Sequence, residues 1–326
     1  FDFLVSRSWR TTHISINLPV IPVIVIALAK SHTAYLNRYF QLFVVVVAAG
    51  AIFPLLYLRQ NFELSILESF DITIIQLSNC YALMGLIFAM TYLPSGWLAD
   101  RFSPKLLIIN SLVITGLLGI WMASIPPYQT LLLIFAGWGV STGLTFWAAH
   151  IKVVSILAGG DYQGRFFGLL DGGRGLVEAI LATAALWVFA SLLNYESGDS
   201  ELALTRVIYM YSIAIAIATL LVYILLDDSN CGSSSPQPTE FLIEAKLVFS
   251  HRDVWIAAIC ILCGYQLFWA TYSFSAHLQE NYSLTAVTVG SITVAKLWMR
   301  PVGAIATGYI GDWFGRERTL GFAMLI

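Results

Sequence analysis

Apolar residues along this chain run in long unbroken blocks, not in the alternation of a half-buried strand or the single stripe of a surface helix. A block of ~20 residues at ~1.5 Å per residue crosses a bilayer core as a helix. Blocks of that length recur at residues 40–58, 76–98, 106–124, 129–150, 167–193, 207–226, 254–274 and 285–310. A further one starts at Thr319 and runs to Ile326. The connections are short except for residues 227–252, where "DDSNCGSSSPQPTE" has the Ser and Pro content of a flexible linker. The pattern predicts an all-α polytopic membrane protein. Its expected parts are a six-helix N-terminal bundle over 39–226, a linker over 227–252, and an incomplete second bundle over 253–326, truncated in its ninth helix. Residues 1–38 do not conform. The run Ile14 to Ala29 carries Pro19 and Pro22, and spanning there would export Lys30 and Arg38. They are expected to be a non-native or incorrectly assigned leader.

Basic residues fix the orientation. With the first span leaving the cytoplasm, Lys30, Arg38, Arg101, Lys105, Lys152, Arg165, Lys246, Arg252, Arg316 and Arg318 flank cytoplasmic ends. Only Arg59 and Arg206 fall in external loops, so the bias places the linker in the cytoplasm. Composition agrees with a multi-pass membrane protein, whose expected location is the plasma (inner) membrane. The chain is 58% hydrophobic and 11% charged, against roughly 25% charged in soluble domains. A net charge of −2 offers no field for nucleic acid. Of the cysteines, Cys80, Cys260 and Cys263 lie inside apolar blocks, where a thiol packs as a small hydrophobe. No His-Glu-x-x-His or Gly-x-Ser-x-Gly occurs, so neither an enzyme nor a cofactor or metal site is expected.

Within this apolar background the charges inside spans carry the chemistry. Lys296 and Arg300, four apart on one helix face, sit in a run that is otherwise apolar for more than two turns either way. A cation at bilayer depth costs about 2.5–3.5 kcal/mol on insertion scales. Lys296 is placed near the middle of its block, and no acid lies within that helix. The pair therefore faces a cavity, a distant acid or a bound anion. It is read as the site of an anionic substrate, with Pro301 positioned to kink the helix and expose carbonyls. The second cluster is "RFFGLLDGGRGLVEA", residues 165–179, where Asp171, Arg174 and Glu178 make one charged stripe. That stripe is either a structural ion-pair network or a proton acceptor coupled to Arg174. Gly172, Gly173 and Gly175 allow a neighbouring helix to approach. Softer candidates for touching substrate are Tyr265, Gln266, Trp269 and Tyr272 in the seventh block and Trp147 in the fourth, with His150 read as interfacial.

Two stretches look alike, "GWLADRFSPKLL" at residues 96–107 and "GYIGDWFGRERT" at 308–319. Gly96 pairs with Gly308 and Asp100 with Asp312, and basic residues follow both. Parallel repeats of this kind mark transporters built from two homologous bundles. Here the sequence resembles the major facilitator superfamily, whose loop between the second and third helices reads Gly-x-Leu-Ala-Asp-Arg-x-Gly-Arg-Lys/Arg, with a degenerate copy between the eighth and ninth. Gly96, Leu98, Ala99, Asp100, Arg101 and Lys105 match, while Ser103 and Pro104 replace the Gly-Arg step. In the second copy Gly308, Asp312, Gly315, Arg316 and Arg318 match. The resemblance implies that these residues latch the two bundles in one of two alternating states. It also implies a monomeric secondary active transporter. With the buried charges, the expected cargo is a small organic anion (a sugar acid, carboxylate or sugar phosphate) in symport with a proton. Efflux of amphipathic compounds, a membrane sensor and an inactive fragment are the alternatives.

Overall fold

The computed structural model describes residues 20–160, 162–195, 199–227, 241–270 and 274–325. The chain divides into two units, Phe1–Tyr39 and Phe40–Ile326. Residues 1–19 of the expected leader and 228–240 of the expected linker lie outside the described residues. Every regular element among the described residues is helical. In order they are α1 (Val20–Leu56), α2 (Arg59–Ser69), α3 (Ile74–Arg101), α4 (Pro104–Met122), α5 (Tyr128–Val140) and α6 (Trp147–Ala158). There follow α7 (Gln163–Tyr195), α8 (Ser200–Leu225), α9 (Phe241–Ser250), α10 (Arg252–Ala270), α11 (Phe274–Tyr282), α12 (Ala286–Phe314) and α13 (Arg316–Leu325). Among the described residues, 6 helical stretches are long and apolar enough to cross a membrane: Asn37–Ser69, Ile74–Arg101, Pro104–Met122, Tyr128–Ala158, Gln163–Leu193 and Ser200–Leu225. They fall in the order of the first six apolar blocks. α12 has 29 residues, ~44 Å at ~1.5 Å per residue, which is also enough to cross. Its midpoint is Arg300 rather than Lys296, because the helix continues beyond the apolar block, through Asp312, as far as Phe314.

Local chemistry explains the helix ends. The Thr73 hydroxyl accepts from the Gln76 N–H while the Gln76 side chain accepts from the Thr73 N–H, a reciprocal cap that starts α3. At the first loop motif, Ser103 and Pro104 stand where the family has Gly-Arg. Ser103 Oγ accepts from the Leu106 N–H and Pro104 opens α4, so the departure caps the next helix instead of disrupting the turn. Gly315, at φ +91°, ends α12 in a conformation that side chains avoid. α12 runs through Pro301 as one helix, so the expected exposure of carbonyls there gives way to packing: Pro301 is buried, and its carbonyl borders Gly172.

Between α5 and α6 the helix loosens into one π-helical stretch, Ser141–Phe146. The inserted residue turns the following side chains by about 100° relative to a continuous α-helix. Its buried hydroxyls are satisfied locally and across to α4: Ser111 Oγ donates to the Ser141 carbonyl at 2.8 Å, and Thr115 and Ser141 share a bond at 3.0 Å.

The packing that positions the site is the pairing of α7 with α12. The two run antiparallel, with Gly164 and Gly168 beside Gly308, Gly172 beside Pro301 and Ile305, and Gly175 beside Arg300. Farther along, Ala179 and Ala182 pack on Val294 and Leu297, with Leu186 against this cluster. A methyl group built on Gly168 would lie 2.9 Å from Gly308 Cα and 3.1 Å from the Ala304 carbonyl. The two backbones therefore touch, as small residues four apart permit between helices in lipid. Gly173 faces the other way, onto Val46 of α1.

Candidate functional site

At the middle of this seam four charged groups close into a ring. α7 presents Asp171, Arg174 and Glu178 on one face, and α12 presents Arg300. Arg300 Nη1 donates to Glu178 Oε2 at 2.9 Å and its Nη2 to Asp171 Oδ1 at 2.8 Å. Arg174 reaches the same two carboxylates from their own helix, with Nη2 at 3.0 Å from Asp171 Oδ1 and Nε at 3.4 Å from Glu178 Oε1. The second contact lacks hydrogen-bond alignment, since Arg174 Nε has no hydrogen-bond partner. Guanidinium and carboxylate alternate around the ring, and with both acids ionised it is neutral. Its components are mostly withdrawn from solvent: the Arg174, Glu178 and Arg300 side chains are 11%, 12% and 21% exposed, while Asp171 is 46% exposed.

Of the three environments open to Arg300, the fold supplies the distant acid. Two carboxylates from α7 meet it, although none lies on its own helix. A search along one helix misses them because the partners are brought together by a glycine seam between segments far apart in sequence. Lys296 lies one turn before Arg300 on α12 and is half-buried.

Gly175 makes this bridge possible. It sits between Asp171 and Glu178 on the α7 face, and the aliphatic stem of Arg300 lies across it. An added Cβ would meet Arg300 Cγ and Cδ at 3.1 Å. Those atoms can shift by a few tenths of an ångström, but only by lengthening the two hydrogen bonds at the far end. Gly175→Ala is expected to loosen the bridge and lower stability by about 1 kcal/mol. Thermal melts in detergent against wild type check this.

On its other side Arg174 faces an aromatic cluster. Its guanidinium lies 5.3 Å above the Phe53 ring of α1. Phe53 meets Phe146 and Trp147 edge-on at 6.0 Å each, and Tyr92 of α3 meets Trp147 at 6.0 Å. Tyr57, Tyr92 and Tyr265 of α10 all stand within electrostatic reach of Arg174. Trp147 and Tyr265, read from sequence as candidates, thus share one neighbourhood with the ring. His150, read as interfacial, is instead only 2% exposed, stacked on Phe146 at 4.8 Å and edge-on to Trp147 at 5.3 Å. The fourth span runs on to Ala158, so His150 lies well inside it. Gln266 is exposed. Tyr272 lies outside the described residues, as do the side chains of Trp269 and Arg316.

The repeated loop residues take different partners. Lys152 of α6 donates to Asp100 Oδ1 at 2.8 Å and to the Ala99 carbonyl at 2.9 Å. Arg101 stacks over Trp97 at 4.2 Å, and Lys105 lies 5.9 Å from the Tyr223 ring. Gly96 has open space around it, and Arg318 is exposed. Asp312 accepts from the Arg165 backbone N–H at 2.9 Å, with Arg165 Nε at 3.5 Å. A carboxylate thereby caps the first turn of α7, where unpaired N–H groups favour negative charge. Sequence reading did not single out Phe53, Tyr57, Tyr92 or Gly168, nor the Arg165–Asp312 contact. The legible signal was the Gly164, Gly168, Gly172 spacing of four.

The chain matches the family described as Major Facilitator Superfamily over residues 38–326. It is 28% identical over 287 residues to the inner membrane protein YqcE of Escherichia coli (strain K12), a match that covers 85% of this chain and 66% of that protein. To the inner membrane protein YihN of the same strain it is 25% identical over 275 residues, covering 82% of this chain and 63% of that protein. The chain spans less than two thirds of the length of these two relatives.

Proposed function

The chain belongs to the Major Facilitator Superfamily, and from that premise we propose that it is a secondary active transporter of a small organic anion, working by alternating access and driven by a proton gradient across the bacterial inner membrane. The observation that carries this reading is the placement of one guanidinium, at the middle of α12, between two α7 carboxylates of which Glu178 is at the middle of its helix. Rocking one group of helices against the other has to stretch contacts between α7 and α12. Opening the ring leaves α7 with Asp171, Glu178 and Arg174, an excess of one negative charge, and leaves α12 with the Arg300 cation, one turn from Lys296. A bare charge at this depth is costly, so each side takes a compensating ion. On α7 that ion is a proton, with Glu178 or Asp171 as acceptor. On α12 it is the anionic cargo, received by Arg300 and Lys296. Aromatic side chains around Arg174, including Trp147 and Tyr265, and Gln266 line the approach for the rest of the solute. The Asp312–Arg165 contact acts as a latch at one end of the α7–α12 seam, with Arg316 and Arg318 beyond it. Asp100, held by Lys152, is its counterpart in the first repeat, together with Gly96, Arg101 and Lys105.

The test uses the full-length protein in proteoliposomes with an imposed pH gradient. Labelled gluconate, glucuronate, lactate and glucose 6-phosphate are offered from the acidic side. Accumulation of at least one of them above protein-free vesicles, abolished by a protonophore, is expected. Absence of accumulation for all four, in either direction of the gradient, overturns the anion reading.

A further inference from the structure

The geometry points to a monocarboxylate as cargo, one that takes the place of Glu178 on Arg300 and leaves one proton on Glu178. This rests on the anion-transport reading above and narrows it to one charge class and one stoichiometry.

Asp171 Oδ1 is shared by both guanidiniums at 3.0 and 2.8 Å, and Glu178 offers one oxygen to each, Oε1 to Arg174 and Oε2 to Arg300. Two of the five N–H groups of Arg300 are held by the α7 acids, and an anion that takes the N–H groups facing α7 displaces a carboxylate. Glu178 is the one that leaves with least support. Its remaining partner, Arg174 Nε, stands at 3.4 Å without hydrogen-bond alignment, while Asp171 keeps a 3.0 Å contact with Arg174 and is far more open to solvent. The groups facing Glu178 are Arg174 and Asp171 on its own helix, Arg300 on α12 and the Tyr57 phenol in the turn after α1. A displaced Glu178 is a buried carboxylate that has lost its better-aligned cation, and a proton removes that cost.

The balance is then closed. One proton from solution adds to the Glu178 carboxylate and gives the acid, and the cargo carboxylate accepts the N–H of Arg300 Nη1 that Glu178 accepted before. Arg174 and Arg300 carry two positive charges, Asp171 and the cargo two negative ones, and Glu178 none. The ring is neutral before and after. Lys296 keeps the same charge in both states and drops out of the difference. With a dianion such as a phosphate monoester or a dicarboxylate the same count comes out one charge more negative than the closed ring. A planar carboxylate also matches the paired N–H groups of a guanidinium.

The experiment measures proton uptake on binding. Purified full-length protein in detergent, weakly buffered with a pH indicator dye, is titrated with labelled gluconate, glucuronate and lactate, and bound anion is counted by equilibrium dialysis. One proton taken up per monocarboxylate bound is expected. Succinate and glucose 6-phosphate are expected to bind at least tenfold more weakly. Glu178→Gln, which resembles the protonated acid, is expected to bind the monocarboxylate with no proton uptake, and Asp171→Asn to retain the uptake. Binding without a proton, proton uptake that survives in Glu178→Gln, or tighter binding of the dianions overturns the inference and leaves the anion reading standing. If none of these anions binds, both fall together.

Discussion

Arg300→Gln is expected to reduce anion uptake at least hundredfold while the protein still inserts and accumulates in the membrane. A hundredfold loss corresponds to ~2.7 kcal/mol, within reach of one charge-assisted contact removed from a poorly hydrated site. Arg300 supplies both hydrogen bonds that join α12 to the acids of α7. Glutamine keeps a donor but has neither the fork nor the charge. Truncating one member of a buried ion pair typically costs about 3–5 kcal/mol of stability. Here the cost should fall at the lower end, because Arg174 remains beside both carboxylates. The double variant Arg300→Gln/Glu178→Gln removes one charge of each sign and is expected to regain most of the thermal stability without regaining uptake. That split separates a structural bridge from a transport role: if uptake recovers along with stability, the cation serves only the fold. Lys296→Gln, which leaves the ring intact, should lower uptake with a smaller effect on melting temperature. Uptake at the wild-type rate in both Arg300→Gln and Lys296→Gln removes the role assigned to these cations.

What was legible in the sequence divides along a physical line. Blocks that must satisfy their backbone inside lipid announce themselves by length and apolarity, so the six long spans and the helix around Lys296 and Arg300 were readable. The stripe Asp171, Arg174, Glu178 was readable too, because residues three and four apart share a helix face whatever else is present. The relation between helices was not. Arg300 meets Glu178 because Gly175 leaves room for its stem and because Gly168 and Gly308 let two backbones touch. Periodicity in either segment alone says nothing of its partner. The burial of His150 against Phe146 and Trp147 was not readable either, since it depends on packing, and the π-helical stretch at Ser141–Phe146 just before it leaves no signature in composition. Ser103 and Pro104 looked like a defect in a loop motif, whereas helix-capping chemistry makes them a sound start for α4.

Gly168→Val and Gly308→Val are expected to give the largest losses of folded protein among single changes to uncharged residues. At Gly168 the new Cβ would fall 2.9 Å from Gly308 Cα, and at Gly308 it would fall 2.8 Å from the Gly164 carbonyl oxygen. In both cases the obstacle is backbone, which cannot step aside as a side-chain tip can. The helices must separate, and separation strains the Arg300 bridge and the Asp312 cap at once. Overpacking of this kind costs about 1–3 kcal/mol, and loss of the associated polar contacts adds to it. Gly303→Val is the control. Gly303 lies on the same helix with open space around it, so the same side chain there tests helix propensity alone and should change stability by less than about 0.5 kcal/mol. Thermal melts in detergent of the three variants against wild type decide the matter. A fall in melting temperature at Gly308 no greater than at Gly303 would mean that α7 and α12 do not meet at van der Waals contact. The ring of four charges, which depends on that contact, would then lose its geometric support.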